Sequence, residues 1–301
     1  MEWEIRIIEL IQGNLDDVSR LLNYIFSFIG GEYGLMILIV VTLFCFKKEV
    51  GQRLALIIAS LHAWFSSIKA IVKRPRPYIE YPDRVKALAP VNPEASPRDV
   101  VAQGYSFPSM HSGAVPASYF TLAGKIGKRW AFIAAGLLTL FVGFCRIATA
   151  NHYPSDVLSG WIMGFMTIGI FELLDRYVEK EWIRHLILLL SALPGVFFVR
   201  THEYYTSLGL LIGAIIAIPF ERKYVNYQET KSIPAMILRT LGGFAIYFGL
   251  NALLKLPFSS EFLGSGVLTA FLVRTVRYAI IIFVIMGAYP KIFPLFEKKN
   301  K

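Results

Sequence analysis

The feature that most constrains this chain is a set of apolar runs without charge. FIAAGLLTLFVGF (Phe132 to Phe144) and LMILIVVTLFCF (Leu35 to Phe46) contain no Asp, Glu, Lys or Arg. Water-soluble helices of such length show a polar face. In hydrocarbon a segment must satisfy its own backbone, which a helix does and an open strand does not. Alternation of period two, the mark of an outer-membrane barrel, is absent. With 55% hydrophobic residues and a mean hydropathy of +0.53 over 301 residues, the chain reads as all-α, a polytopic bundle of membrane helices.

Apolar runs fall at 34–46, 54–72, 109–124, 130–148, 155–174, 184–199, 206–220, 234–254 and 265–289, which predicts nine membrane helices. Residues 3–30 differ. There Glu2, Glu4, Asp16, Asp17 and Arg20 interrupt or flank Leu, Ile and Phe positions, which predicts amphipathic helices at the interface. A poorly apolar tenth span at 17–31 is the competing reading. The connections 47–53, 124–129, 175–184 and 221–231 and the tail KIFPLFEKKNK are rich in Lys and Arg. The positive-inside rule puts them in the cytoplasm, so the loops after Lys69 and around His152 face outward. The net charge of +10 is accounted for in this way, and no nucleic-acid partner is expected. Cys45 and Cys145 lie in or beside apolar runs and read as packing residues. No cleavable signal peptide, internal repeat or soluble domain is evident, and the lack of a repeat argues against a secondary transporter.

Three polar clusters interrupt the first half. In KAIVKRPRP, Lys69 and Arg76 are seven residues apart and could share one helix face, with Pro75 and Pro77 stopping that helix. The same residues also suit a basic helix end snorkelling to head groups. In GYSFPSMHSG, Pro108 suits a first helical turn, so Ser109, Met110 and His111 would offer amides, a hydroxyl and an imidazole at an anion-attracting helix end. A simple cap is the alternative there. In CRIATANHYPSD, Pro154 starts a helix, placing Asp156 in its first turn, where a carboxylate can hold one ring nitrogen of His152. Arg146 adds a planar fork suited to phosphate oxygens, unless it forms a structural pair with Asp156. Together the clusters supply what binding a tetrahedral anion and in-line substitution at phosphorus require. No acidic cluster suited to two metals accompanies them, so Lys and Arg must neutralise the charge.

The three clusters resemble the signature of the type 2 phosphatidic acid phosphatase (PAP2) superfamily, K-x6-RP, PSGH and SR-x5-H-x3-D. They stand here as Lys69 to Arg76-Pro77, Pro108-Ser109-Met110-His111, and Arg146 to His152 to Asp156. The resemblance covers residues 1–176 and implies a catalytic core there, with 177–301 as an extension of about four further transmembrane helices. It implies that His152 attacks phosphorus to give a phosphohistidine, that Asp156 orients it, and that His111 protonates the leaving group. Lys69, Arg76, Ser109, Met110 and Arg146 would hold the phosphoryl oxygens, with no metal and no cofactor. Met110 replaces the family's usual Gly, and Cys145 replaces the Ser before Arg146.

The expected activity is hydrolysis of the phosphomonoester or pyrophosphate of a lipid, of isoprenoid pyrophosphate or phosphatidate type, at the outer face of the plasma membrane. A head-group phosphotransferase and a glucose-6-phosphatase-like enzyme are the alternatives. A transporter or lipid-binding protein with a dead site fits poorly with intact Lys69, His111, His152 and Asp156. Three further arginines, Arg239, Arg274 and Arg277, fall inside apolar runs; they are expected to pair within the bundle, or else to line a polar path or touch head groups. The long loop from Tyr78 to Gln103 is expected to shape access to the site.

Overall fold

The computed structural model describes residues 2–14, 25, 26 and 28–296. Among these there is no strand. The competing span at 17–31 falls largely outside the described residues. The principal helices are α1 (Glu2–Gly13), α2 (Glu32–Val41), α3 (Lys48–Val72), α4 (Pro77–Glu80), α5 (Val100–Gln103) and α6 (Met110–Ile126). They continue as α7 (Arg129–Ala148), α8 (Pro154–Tyr177), α9 (Glu181–Ala192), α10 (His202–Phe220), α11 (Ile233–Leu253), α12 (Ser260–Gly264) and α13 (Leu268–Phe283). Each of the nine apolar runs is helical over most of its length. Six of the described helical segments are long and apolar enough to cross a membrane. The runs at 34–46, 109–124 and 184–199 form shorter pieces: α2 with a π-helical end at Thr42–Phe46, α6 of 17 residues, and α9 of 12 residues followed by a 3-10 turn.

The side chains are sorted in the manner of a membrane helix. On α7 the large residues Phe132, Ile133, Leu137, Leu140, Phe141 and Phe144 are exposed, while Ala131, Ala135, Thr139, Val142, Cys145 and Ala148 are buried. In water that outer row would be a large apolar patch. In lipid it costs nothing, and small inner residues let helices approach closely. The chain is an integral membrane protein.

Packing divides the chain into two compact units, one from residues 1–35 and 67–176, the other from 36–66 and 177–301. Residues 36–66 thus group with the C-terminal residues rather than with the rest of 1–176. The physical reason lies in a few contacts. Tyr227 Oη donates to Leu43 O at 2.8 Å, and Lys48 Nζ lies 3.2 Å from Glu221 Oε1. Glu221, 1% exposed, also accepts from Tyr227 N. Within this second unit α10 and α13 meet at Gly209 and Gly213, where a Cβ would come within 2.4 Å of Thr275 O and 2.6 Å of Ala279 O respectively.

The three arginines inside apolar runs, Arg239, Arg274 and Arg277, have neutral partners within this unit. Arg239 Nη1 donates to Gln228 O at 3.0 Å and its guanidinium lies over Phe293. Arg274 Nη1 donates to Thr206 Oγ1, and Arg277 Nη2 to both oxygens of Asn251. Both cysteines are free thiols, Cys145 buried and Cys45 half-buried against Met236 O and Thr240 Oγ1.

Candidate active site

The site is built in the first unit, where the chain leaves α3, enters α6, and turns from α7 into α8. α3 ends at Val72, and Lys73 takes a left-handed conformation (φ 52°) that redirects the chain. Arg76 therefore does not share a helix face with Lys69, as the spacing of seven suggests. It is the N-cap of the short α4, and the two cations reach the site from different segments. Lys69 Nζ donates to Tyr105 O at 2.6 Å and Ser106 O at 3.1 Å, which ties α3 to the start of the second motif. Buried Arg76 donates from Nε to Gln103 O and from Nη1 to Asn151 O, both at 2.9 Å.

The second motif starts its helix later than the sequence expectation. Ser109 is the N-cap of α6, so Pro108 stands before the helix, not in its first turn, and the Phe107–Pro108 bond is cis. Met110 and His111, both half-buried, are the first two helical residues. The Ser109 amide donates to Asp156 O at 3.1 Å, so it is joined directly to the third motif, and Ser109 Oγ lies 2.8 Å from Ser112 Oγ. Close approach of α8 to this helix end depends on two glycines. A Cβ on Gly160 would come within 2.6 Å of Ser109 O, and one on Gly164 within 2.4 Å of Gly113 O.

The third motif closes the site. After α7, Ala150 is left-handed (φ 56°), and the chain folds back so that the His152 amide donates to Arg146 O at 3.1 Å. Arg146 sits buried in the last turn of α7. Pro154 begins α8, and fully buried Asp156 lies in its first turn, as its position after Pro154 predicts. Asp156 Oδ2 accepts from the Tyr153 amide at 2.9 Å and stands 3.6 Å from His152 Nδ1, an ion-pair distance beyond a formed hydrogen bond. His152 Nε2 is 3.5 Å from Arg76 Nη1. A guanidinium only donates, so this contact favours the tautomer with the proton on Nδ1, facing Asp156, and the lone pair on Nε2. Burial, then the nearby charges of Arg76, Lys69 and Arg146, hold the His152 pKa well below the usual imidazole range.

The structure thus brings all the sequence-predicted site residues, Lys69, Arg76, Ser109, Met110, His111, Arg146, His152 and Asp156, to one end of α6, α7 and α8. It also adds residues that spacing did not single out. Arg74 Nη1 donates to Asp156 Oδ1 at 2.7 Å and Nη2 to Glu4 Oε2 at 3.0 Å. Glu4 Oε1 accepts from Ser155 Oγ and Ser155 N. Ser106 Oγ donates to Pro75 O, and Gln103 holds the long loop by donating to Asn92 O and Ser96 O. The one sequence signal for Arg74 is its place inside KRPRP. α1 itself packs Ile5 and Ile8 against Tyr78, Val85, Ala150 and Tyr153, so the predicted interfacial helix also covers this end of the site. Among the described residues no group of three or more His, Cys, Asp or Glu side chains is arranged to hold a metal ion.

Comparison with known proteins gives the chain a family. The PAP2 superfamily model matches residues 50–179, and a model for the transmembrane extension of PAP2 superfamily phosphatases matches residues 205–301. Phosphatidylglycerophosphatase B of Bacillus subtilis is 29% identical over 103 residues, 30% of this chain and 50% of that protein. An undecaprenyl-diphosphatase of the same organism is 32% identical over 117 residues, 37% of this chain and 53% of that protein. The chain spans about half the length of these curated relatives. No solved structure matches it. With the three motifs gathered in one site and both family models matched in order along the sequence, the chain belongs to the PAP2 superfamily and carries that superfamily's transmembrane extension.

Proposed function

We propose that this chain is a metal-independent membrane phosphatase that hydrolyses the phosphomonoester or pyrophosphate of a lipid through a phosphohistidine on His152, at the outer membrane face. The catalytic core lies within residues 1–176, with 177–301 as a membrane extension. The observation that carries the reading is the meeting of His152 Nε2 with Arg76 Nη1 at 3.5 Å, beside Lys69 and Arg146. A lone pair held among three cations, on a ring whose other nitrogen faces a carboxylate, suits attack on a phosphoryl dianion. The names of the two relatives, a phosphatidylglycerophosphatase and an undecaprenyl-diphosphatase, favour a lipid over a small phosphate ester.

In this mechanism the substrate's oxygens are held by Lys69, Arg76, Arg146, Ser109 and the Met110 and His111 amides. Nε2 attacks phosphorus in line while the phosphorus–oxygen bond to the leaving group breaks. His111 gives its proton to that departing oxygen. The Nδ1 proton stays on the ring, and its 3.6 Å separation from Asp156 Oδ2 closes as positive charge develops. Water, relieved of a proton by His111, then attacks the phosphohistidine, releasing phosphate and restoring His152. Loop Tyr78–Gln103 shapes access for the head group.

The test is phosphate release from isoprenoid pyrophosphates, phosphatidate and phosphatidylglycerophosphate by purified protein with EDTA present. We expect turnover that is insensitive to chelator and lost in His152→Ala. Chelator-sensitive turnover, or full activity in the variant, overturns the mechanism. Release that requires an added acceptor alcohol identifies a transferase. Faster turnover of a soluble sugar phosphate than of any lipid identifies a glucose-6-phosphatase-like enzyme.

A further inference from the structure

Glu4 lies on α1, outside the residues 50–179 matched by the superfamily model, yet it is only 3% exposed and reaches the His152–Asp156 pair through one intermediary. Its Oε2 accepts from Arg74 Nη2 at 3.0 Å, and Arg74 Nη1 donates to Asp156 Oδ1 at 2.7 Å. Glu4 Oε1 accepts from Ser155 Oγ at 2.6 Å and from Ser155 N at 3.0 Å. Ser155 is the second residue of α8, so Glu4 also places a carboxylate against the amide end of the helix that carries Asp156. The Arg74 guanidinium carbon lies over the Tyr153 ring, 3.7 Å from its centroid. Tyr153 is fixed in turn through Oη to Glu80 at 2.6 Å. The result is a chain of alternating charge, buried Glu4, half-buried Arg74 and buried Asp156, ending 3.6 Å from His152 Nδ1.

Charge arithmetic gives this chain a consequence. An Arg74–Asp156 pair alone is neutral, and at 2.7 Å the guanidinium draws the carboxylate's field away from His152. A buried ion pair is also costly unless its remaining donors and acceptors are satisfied. Glu4 satisfies the outer nitrogen of Arg74 and cancels its charge, leaving one net negative charge on the Asp156 side of the ring. The groups that face His152 are otherwise cationic: Arg76, Lys69 and Arg146, with His111 carried on neighbouring α6. Asp156 is faced by Arg74, Lys69, the Tyr153 amide and Ser106, and Glu4 by Arg74 and Ser155.

We propose that Glu4 and Arg74 are positioning residues that set how strongly Asp156 acts on His152, Arg74 weakening that action and Glu4 restoring it. The proposal rests on His152 being the nucleophile. No proton leaves the ring toward Glu4. The two residues work through field and placement, and α1 thereby becomes part of the catalytic unit.

The two charges predict opposite effects. Removing the negative charge in Glu4→Gln disfavours the imidazolium and moves the acid limb of kcat/KM to lower pH. Removing the positive charge in Arg74→Gln moves it to higher pH. A shift of about half a pH unit or more in each direction is expected for charges at this distance. KM is expected to stay within about twofold, with the change in kcat, since neither group touches substrate. The double variant Glu4→Gln/Arg74→Gln returns the limb toward its starting position. Shifts of the same sign, or reduced activity with an unmoved limb in both single variants, overturn the proposal and reduce Glu4 to a structural tie. Should Glu4→Gln yield no folded protein, Arg74→Gln decides alone, because an unmoved or lowered limb overturns the proposal. The measurement uses full-length protein in detergent with phosphate release from phosphatidate, and His152→Ala as control. Activity in that control would sink the nucleophile assignment and the proposal with it, whereas an inactive control with same-sign or unmoved limbs sinks the charge relation alone.

Discussion

At the scale of single residues, the proposed chemistry turns on His152 being buried, with its pKa held below the usual imidazole range. Its lowered pKa has a consequence for stability whose sign is fixed. Below the ordinary imidazole value near 6.5 the unfolded chain takes up a proton that the folded chain refuses. The contribution is complete above that value and is lost as pH falls below it. Thermal unfolding midpoints in detergent should therefore decline as pH drops from about 6.5, and His152→Gln should flatten that decline. For turnover, His152→Ala should lower phosphate release by roughly 10³-fold or more, as removal of an essential nucleophile does, while lipid phosphate still binds. Residual phosphate release within about tenfold of the parent would show that another group attacks. Cys145 has a plain place at this scale. It continues the buried row of small residues on α7, and the thiol fits where the superfamily usually has Ser.

At the scale of elements, two glycines place α8 against α6. Gly160 and Gly164 recur every fourth residue on one face of α8, and each lies against a backbone carbonyl near the N-terminal end of α6. A methyl at Gly160 must displace Ser109 O, which is backbone and cannot swing away. Gly160→Ala should cost about 1–3 kcal/mol of stability through overpacking. It should also lower kcat, because Asp156 and Ser109 are joined through Ser109 N and Asp156 O. A variant with parental kcat and midpoint would show that the two helices separate without effect on the site. The mutual placement of Lys69 and Arg76 belongs here too. Spacing suggested one helical face, but the left-handed Lys73 ends the helix first, and only then do the two cations reach the site from different segments.

For the whole molecule, each unit has its own buried polar anchor. In the second unit Glu221 receives Lys48 Nζ, Gln52 Nε2 and the Tyr227 amide. Glu221→Ala leaves Lys48 without its carboxylate and should cost about 3–5 kcal/mol, the range for breaking a buried pair. The readout is folded yield and thermal midpoint in detergent; an unchanged midpoint would remove Glu221 as an anchor. Arg274, satisfied by Thr206 and lying over Tyr278, is expected to be dispensable for chemistry. Arg274→Leu should leave turnover per folded molecule unchanged, and a loss of tenfold or more would give the extension a direct part in the reaction.

The sequence by itself determined the helical class and the nine apolar segments, and it singled out the candidate site residues. Uncharged runs have one stable backbone form in lipid, and Lys69, Arg76, His111, Arg146, His152 and Asp156 stand at fixed spacings that any reading can see. Tertiary structure alone decided which groups touch. Glu4 and Asp156 are 152 residues apart in sequence, and no period or motif relates them; the packing of Ile5 and Ile8 against Tyr153 and Ala150, with the bonds from Ser155 to Glu4, brings α1 to the start of α8. The grouping of 36–66 with the C-terminal residues came the same way, from Lys48 meeting Glu221 across a long stretch of chain. Spacing reports residues that share an element, whereas a buried charge network joins residues that share a location, and that is settled when the helices pack.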